Sequence, residues 1–304
     1  MIEDKGSPKI TILTITYGHE DFIKETLNGI LMQTYNGPVE FIIANDNSPD
    51  NTDHVIKDYF NETFIPANFE IKYTKHENNI GMMPNFIWAL KQASGKYIAL
   101  CEGDDYWTES DKLQKQVNFL ENNQEYVLTF HPIKILKTNG ELVDDFITTV
   151  PQNYENQETL ARLGNYIHTP SVVFRNIVQT FPREFIISPI GDYFLYMILT
   201  ANGKVKMLAE TMAVYRHGVG VLSAQSNLKR AKSFLTFYTL LLSWSNNPIL
   251  NEILLKRQEY FTTNVEKIVR SEYTGVFISN HFFYRALSAL QQPKTLWNKI
   301  KIRF

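Results

Sequence analysis

Strand-like and helix-like segments alternate through the first 125 residues, and this alternation limits the fold more than any other feature of the chain. Lys9–Tyr17 (KITILTITY) is a β-branched run broken by Gly18. His19–Thr34 follows with Phe22, Ile23, Leu27, Ile30 and Leu31 at helical spacing. Val39–Asp46 reads as a second strand that ends in the polar cluster Asn45–Pro49, and a helix through Val55 to Phe60 is expected after it. Phe69–Tyr73 is a third strand, Met83–Ala93 a helix, and Lys96–Cys101 a fourth strand running straight into Glu102-Gly103-Asp104-Asp105. Strands that alternate with helices build a parallel sheet through right-handed crossovers. Ligands of such sheets gather beyond the carboxyl ends of the strands, where Tyr17, Asp46 and Asp104-Asp105 all fall.

Past that point the pattern predicts a helix from Ser110 to Asn122, a strand over Tyr126–Leu136, and an irregular loop over Lys137–Asn165. A strand at Val172–Arg175, a helix over Asp192–Ala201 and a further strand within Val205–Tyr215 follow. Beyond Ser223 the apolar spacing is helical, with Phe234, Phe237, Leu240 and Leu241 on one face. The expected division is an α/β domain over residues 1–223 and a helical appendage over 224–304. That appendage can pack on the domain, join a second copy in a homo-oligomer, or meet a membrane. Its tail, KTLWNKIKIRF, interleaves Lys294, Lys299, Lys301 and Arg303 with apolar residues, a composition that suits an anionic lipid surface.

Two adjacent carboxylates after a buried strand repel one another and raise each other's pKa. A divalent cation relieves that repulsion, and oxygen ligands select Mg²⁺ or Mn²⁺, which complete their shells with substrate phosphates. The alternative is a solvated loop that caps the next helix. Composition removes other classes. A net charge of −2 over 304 residues leaves no basic face for nucleic acid. The single cysteine, Cys101, rules out an internal disulfide and a multi-thiolate zinc site. The N-terminal residues lack a signal-peptide pattern, and the longest apolar stretch, Phe234–Trp244, is too short to span a membrane. A cytoplasmic protein is expected, with peripheral contact at the inner face of the cell membrane as an option.

Four segments in order give the pair a wider context. KYIALCEGDDYW resembles the Asp-x-Asp region of family 2 glycosyltransferases, TITY its first-strand end, NDNSPDNT its second-strand acidic loop, and HENNIGMMPNF its turn into a helix. The resemblance covers Lys9–Ser223. It implies a GT-A fold, the Rossmann-like mixed sheet of nucleotide-diphospho-sugar transferases flanked by helices, here with a helical C-terminal appendage. It implies an inverting transferase that moves a sugar from a nucleotide-sugar donor, UDP-linked in first preference, to a glycan or lipid-linked acceptor of a surface polysaccharide.

By position, Asp46 matches the carboxylate that reads the donor's base, and Thr16 and Tyr17 match the lining of the base pocket. Asn79 and Asn85 fall in the donor-contacting segment, with turn formation and capping as the alternative. Asp105 matches the metal ligand, and Asp104 its neighbour facing the ribose or sugar. Asp192 matches the catalytic base at a helix start, although Gly191 stands where the family usually has Glu. His217, in YRHGVGVLS, matches a histidine that can complete the metal shell. Trp107 and His168 are candidates for the acceptor side, and Trp107 can equally be core. Asn45, Gly18 and Pro84 depart from the family pattern in the donor contacts. A phosphatase of the haloacid-dehalogenase type is disfavoured, because it carries its acidic pair after the first strand, here Thr16-Tyr17. A nucleotidyltransferase using the same acidic pair is a further alternative, and so is a silent nucleotide-binding or scaffold protein that keeps the fold, which has no use for Asp46, Asp104, Asp105 and Asp192 together.

Overall fold

The computed structural model describes residues 6–220 and 223–290, with side chains through residue 271. Residues 1–5, Val221-Leu222 and the basic tail at 294–304 lie outside the described residues. The first half follows the expected alternation: β1 (Ile10–Thr16), α1 (Ile23–Leu31), β2 (Val39–Asn45), α2 (Thr52–Glu62), β3 (Phe69–Lys75), α3 (Met82–Gln92) and β4 (Tyr97–Leu100). After it come β5 (Tyr106–Trp107), α4 (Lys112–Asn122), β6 (Tyr126–Phe130), β7 (Lys134–Leu136), β8 (Leu142–Asp144) and α5 (Gln157–Leu163). A 3₁₀ turn at Thr169–Ser171 leads to β9 (Val173–Arg175), α6 (Arg183–Ile186), α7 (Gly191–Thr200), β10 (Lys204–Met207) and β11 (Ala213–Arg216). Two long helices close the chain, α8 (Asn227–Trp244) and α9 (Pro248–Leu290).

The main sheet has the order β10-β6-β9-β4-β1-β2-β3. It is mixed, because β9 runs antiparallel to both β4 and β6 while the other neighbours are parallel. Residues along each strand face alternate sides, as the period of two requires. Phe41, Ile43, Tyr97 and Ala99 join the core formed with α1, α2 and α4. Ile42, Ala44, Ile98 and Leu100 join the opposite core with α3, α7 and α8. The sheet is thus flanked by helices on both faces, the GT-A-like arrangement expected from the resemblance.

A second sheet, β5-β11-β7-β8, corrects three expectations. The single strand over Tyr126–Leu136 is two, β6 and β7, in different sheets. Pro132, between them, has no N–H to continue a ladder. The loop over Lys137–Asn165 contains β8 and α5. Gly140, at φ 82°, turns β7 back onto β8 after Asn139, a hairpin signal present in the sequence. Asn156 caps α5 by accepting the Thr159 N–H at 2.9 Å. Val205–Tyr215 holds two strands, β10 in the main sheet and β11 in the small one.

The C-terminal helices are packed on the α/β body. Phe237 of α8 stacks on Tyr193 of α7 at 4.5 Å, and Leu250, Leu254 and Phe261 of α9 belong to the same core. Among the described residues, no helix is long and apolar enough to cross a membrane.

Candidate active site

The carboxyl ends of β1, β2 and β4 meet at one edge of the sheet. Asp46 N–H donates to Thr16 O at 3.0 Å. Cys101 N–H and Gly103 N–H donate to Leu13 O and Ile15 O at 3.1 and 3.0 Å. The acidic run therefore continues alongside the end of β1. Gly103 allows this close approach, because a Cβ there would lie 2.6 Å from Thr16 Oγ1 and 2.7 Å from His19 Nδ1.

Glu102, Asp104 and Asp105 each offer a carboxylate oxygen, and these oxygens lie within 4.8 Å of one another. Asp105 is fully buried. Its Oδ1 accepts the Arg216 N–H at 2.8 Å, and its Oδ2 has no hydrogen-bond partner among the described residues. Burial pushes the Asp105 carboxyl well above the usual range, and the charges of Asp104 and Glu102 push it further, against the Arg216 N–H. Burial, then Asp104 and Asp192, push Glu102 up to about 8. A buried oxygen without a partner costs free energy. An all-oxygen set of this kind fits Mg²⁺ or Mn²⁺, so the residues present suit the cation that the sequence implies. The backbone beneath is tied down, since Thr26 Oγ1 donates to Asp105 O at 2.7 Å and Arg216 Nη1 to Asp104 O at 2.5 Å.

At the end of β2, Asp46 is also buried, yet both its oxygens are engaged. Oδ1 accepts the Ile80 N–H at 2.7 Å and Oδ2 the Gly81 N–H at 2.9 Å, which latches the start of α3 to the sheet. Each oxygen keeps a second lone pair for another donor. Thr16 is buried, with Oγ1 3.2 Å from His19 Nδ1, whereas the Tyr17 ring is 48% exposed and free to stack. Asn45 organises the loop by accepting Ser48 N–H and Oγ–H at 2.8 Å, while Ser48 Oγ accepts Gly18 N–H at 3.0 Å.

The two asparagines of the next segment part company. Asn79 is exposed. Asn85 is buried, donates to Ala44 O at 3.0 Å and pairs with His76 Nε2 at 2.9 Å. Its amide holds α3 to β2.

Asp192 lies in the first turn of α7, where its Oδ2 accepts Asn165 Nδ2 at 3.2 Å and Thr169 Oγ1 at 3.3 Å. Burial raises its pKa, against the Tyr193 N–H and these side-chain bonds. Its charge reaches Glu102, so the expected base and the acidic cluster share one field. His168 lies near Asp192, paired with Asp145 Oδ2 at 2.9 Å and against Tyr215 at 5.3 Å between ring centres.

For Trp107 the core alternative holds, and His217 stands apart from the carboxylate cluster. Trp107 is 2% exposed, donates its indole N–H to Pro170 O at 2.8 Å, and has Lys112 Nζ 4.3 Å from its ring centre. It belongs to the buried core. The structure does not bring His217 into the carboxylate cluster; its ring packs on Phe146 at 5.4 Å.

Glu102, His19 and Arg216 are the site residues that the sequence reading passed over. Glu102 was legible, standing two residues before Asp104 in a strand-end run. His19 has its pKa lowered by burial, against the pull of Asp104 and Asp50. Nothing local marks Arg216, which acts on residues 111 and 112 positions away.

The family model described as Glycosyl transferase family 2 matches residues 11–181. An uncharacterized protein of Mycobacterium tuberculosis is 36% identical over 218 residues, 69% of this chain and 60% of that protein, so the chain spans about 60% of that relative's length. The Escherichia coli UDP-Glc:alpha-D-GlcNAc-diphosphoundecaprenol beta-1,3-glucosyltransferase WfgD is 24% identical, over 79% of this chain and 88% of that protein. Among solved structures, S. aureus TarS 1-349 with UDP-GlcNAc superposes with a TM-score of 0.61 at 16% identity, covering 88% of this chain and 75% of that one. The Pyrobaculum calidifontis mannosyltransferase PcManGT, with GDP-Man and Mn2+, superposes with a TM-score of 0.60 at 14% identity, covering 97% and 84%. At these identities the structural likeness speaks for the fold.

Proposed function

The chain belongs to glycosyl transferase family 2, and from that premise we propose that it is an inverting, metal-assisted glycosyltransferase using a nucleoside-diphosphate sugar. The observation that carries this reading is the cluster of Glu102, Asp104 and Asp105, with one buried Asp105 oxygen left without a partner among the described residues. A divalent cation held there would neutralise charge developing on the departing diphosphate.

The remaining work falls to the chain's own side chains. Asp46 keeps lone pairs for a base imide N–H beside its two backbone donors, and the exposed Tyr17 ring can stack on the base. Asp192 takes the acceptor hydroxyl proton as attack begins. Burial raises its pKa, the direction a base near neutral pH needs, while Asn165 and Thr169 fix its orientation. Attack in line with the leaving diphosphate inverts the anomeric carbon.

A uracil base is favoured by the UDP-sugars named for TarS and WfgD, and the GDP-Man of PcManGT is the alternative. WfgD's diphosphoundecaprenol acceptor supports a lipid-linked glycan and cell-surface polysaccharide synthesis as the setting. His168, with Asp145, is the polar candidate for the acceptor side. His217, whose ring packs on Phe146, is the candidate to complete the cation's shell.

The test is calorimetric titration of UDP, GDP and dTDP with and without Mn²⁺. Mn²⁺-dependent binding that prefers UDP is expected. No metal-dependent binding of any of the three would sink the reading. In turnover assays, Asp192→Asn should lower the rate about 10²–10⁴-fold with UDP binding unchanged.

A further inference from the structure

We propose that Arg216 is the positioning residue of the acidic cluster, holding Glu102-Gly103-Asp104-Asp105 in the geometry that binds a divalent cation. The proposal deepens the donor-site reading above and rests on it. Three contacts of one residue carry it. The Arg216 backbone N–H fixes Asp105 Oδ1 at 2.8 Å, which leaves Oδ2 as that side chain's unpartnered atom. The guanidinium Nη1 holds the peptide oxygen of Asp104 at 2.5 Å, so both aspartates are tied to one side chain and its backbone. The other end of the guanidinium is anchored in α1 by an ion pair with Glu25. Its plane packs near two rings, Phe22 at 4.9 Å and Tyr106 at 5.0 Å.

Burying a guanidinium costs free energy, which the Glu25 ion pair and the Asp104 carbonyl offset. Arg216 is buried, and burial opposes its charge, lowering its pKa. Its charge is also near His19, whose pKa it pushes down. Arg216 ends β11, and the chain then passes over Asp104, where a Cβ on Gly220 would lie 3.4 Å from Asp104 Oδ2. The same residue therefore sets the floor of the cluster and the start of the segment that covers it. Lysine cannot replace it, because a point charge cannot hold a carbonyl, pair with a carboxylate and pack as a flat group at once.

The test measures Mn²⁺ binding to the full chain, with UDP present, by electron paramagnetic resonance of free Mn²⁺. Wild type, Arg216→Lys and Glu25→Gln are compared, and UDP binding without metal is followed by calorimetry. Arg216→Lys should weaken Mn²⁺ binding about 10–100-fold, the range for residues that orient metal ligands, and leave metal-free UDP binding unchanged. Glu25→Gln keeps the arginine and loosens its anchor, so a smaller loss in the same direction is expected even where the lysine variant fails to fold. Wild-type Mn²⁺ affinity in both variants, or an equal loss of metal-free UDP binding, overturns the positioning role alone. Absence of Mn²⁺ binding by the wild type overturns the donor-site reading, and this proposal with it.

Discussion

At the ends of β2 and β4, two buried aspartates face the same edge of one sheet, and their oxygens are treated in opposite ways. Asp46 spends both on the backbone of Ile80 and Gly81. Asp105 has one oxygen on Arg216 N–H and one with no partner among the described residues, in a cluster with two more carboxylates. The first is a latch that closes a loop. The second is the arrangement proposed above to hold a cation. Burial and strand-end position do not distinguish them; the count of donors and the neighbouring carboxylates do.

The comparison breaks most visibly at Asp105. Asp105→Asn keeps the acceptor for Arg216 N–H and removes the charge, so the Mn²⁺-dependent gain in UDP affinity should fall about 100-fold or more. Stability in urea should hold or rise. If Asp46→Asn abolishes the metal dependence equally, the two sites are not different in kind.

Asp46→Ala is the next largest effect. It removes the acceptor of two partly buried N–H groups, a loss of about 1–3 kcal/mol read from urea unfolding. A negligible change would mean that the Ile80–Gly81 loop closes without the latch.

The pH profile of the metal-free protein sharpens the contrast further. Glu102 is pushed up to about 8 in the folded protein, from an ordinary value near 4.5. The folded form therefore keeps a proton that the unfolded chain releases, and this contribution to stability is full below pH 4.5 and lost as pH rises through 8. Lys112, pushed down to about 7 by burial, acts in the opposite sense, its folded form shedding a proton that the unfolded chain keeps. Comparing Glu102→Gln with wild type isolates the first effect. The melting temperature of the wild type should fall more steeply with pH between 5 and 8 than that of the variant. Identical slopes would mean that Glu102 titrates normally.

The smallest expected effect is Asn79→Ala. This exposed residue should change stability by less than about 0.5 kcal/mol, so any fall in UDP affinity reports a direct donor contact. Asn85→Ala, which removes a buried bridge to Ala44 O and His76, should instead cost about 1–3 kcal/mol.

Much of the first half was legible because its signals are local. The runs KITILTITY, VEFIIAND and KYIALC carry the composition of strands, and the segments between them carry helical spacing, so β1 to β4 and α1 to α3 fall where expected. The middle of the chain was less so. Its strands are three to five residues long, and β6 and β7 lie close enough to read as one. The Asn139-Gly140 turn and the Asn156 cap were available as signals and mark β8 and α5 correctly.

The sequence by itself determined the alternating α/β order, the strand-end position of Asp46 and of the Glu102–Asp105 run, and the helix start at Asp192. Tertiary structure decided which polar atoms are satisfied. Asp46 meets its donors 34 and 35 residues away, and Asp105 meets Arg216 across 111. Trp107 is committed to the core by Pro170, 63 residues on. Periodicity and turn chemistry act within a few residues, so a sequence window records them. A hydrogen-bond partner brought in by the sheet's topology lies outside every such window, and the difference between the Asp46 latch and the Asp105 cluster is made of those partners.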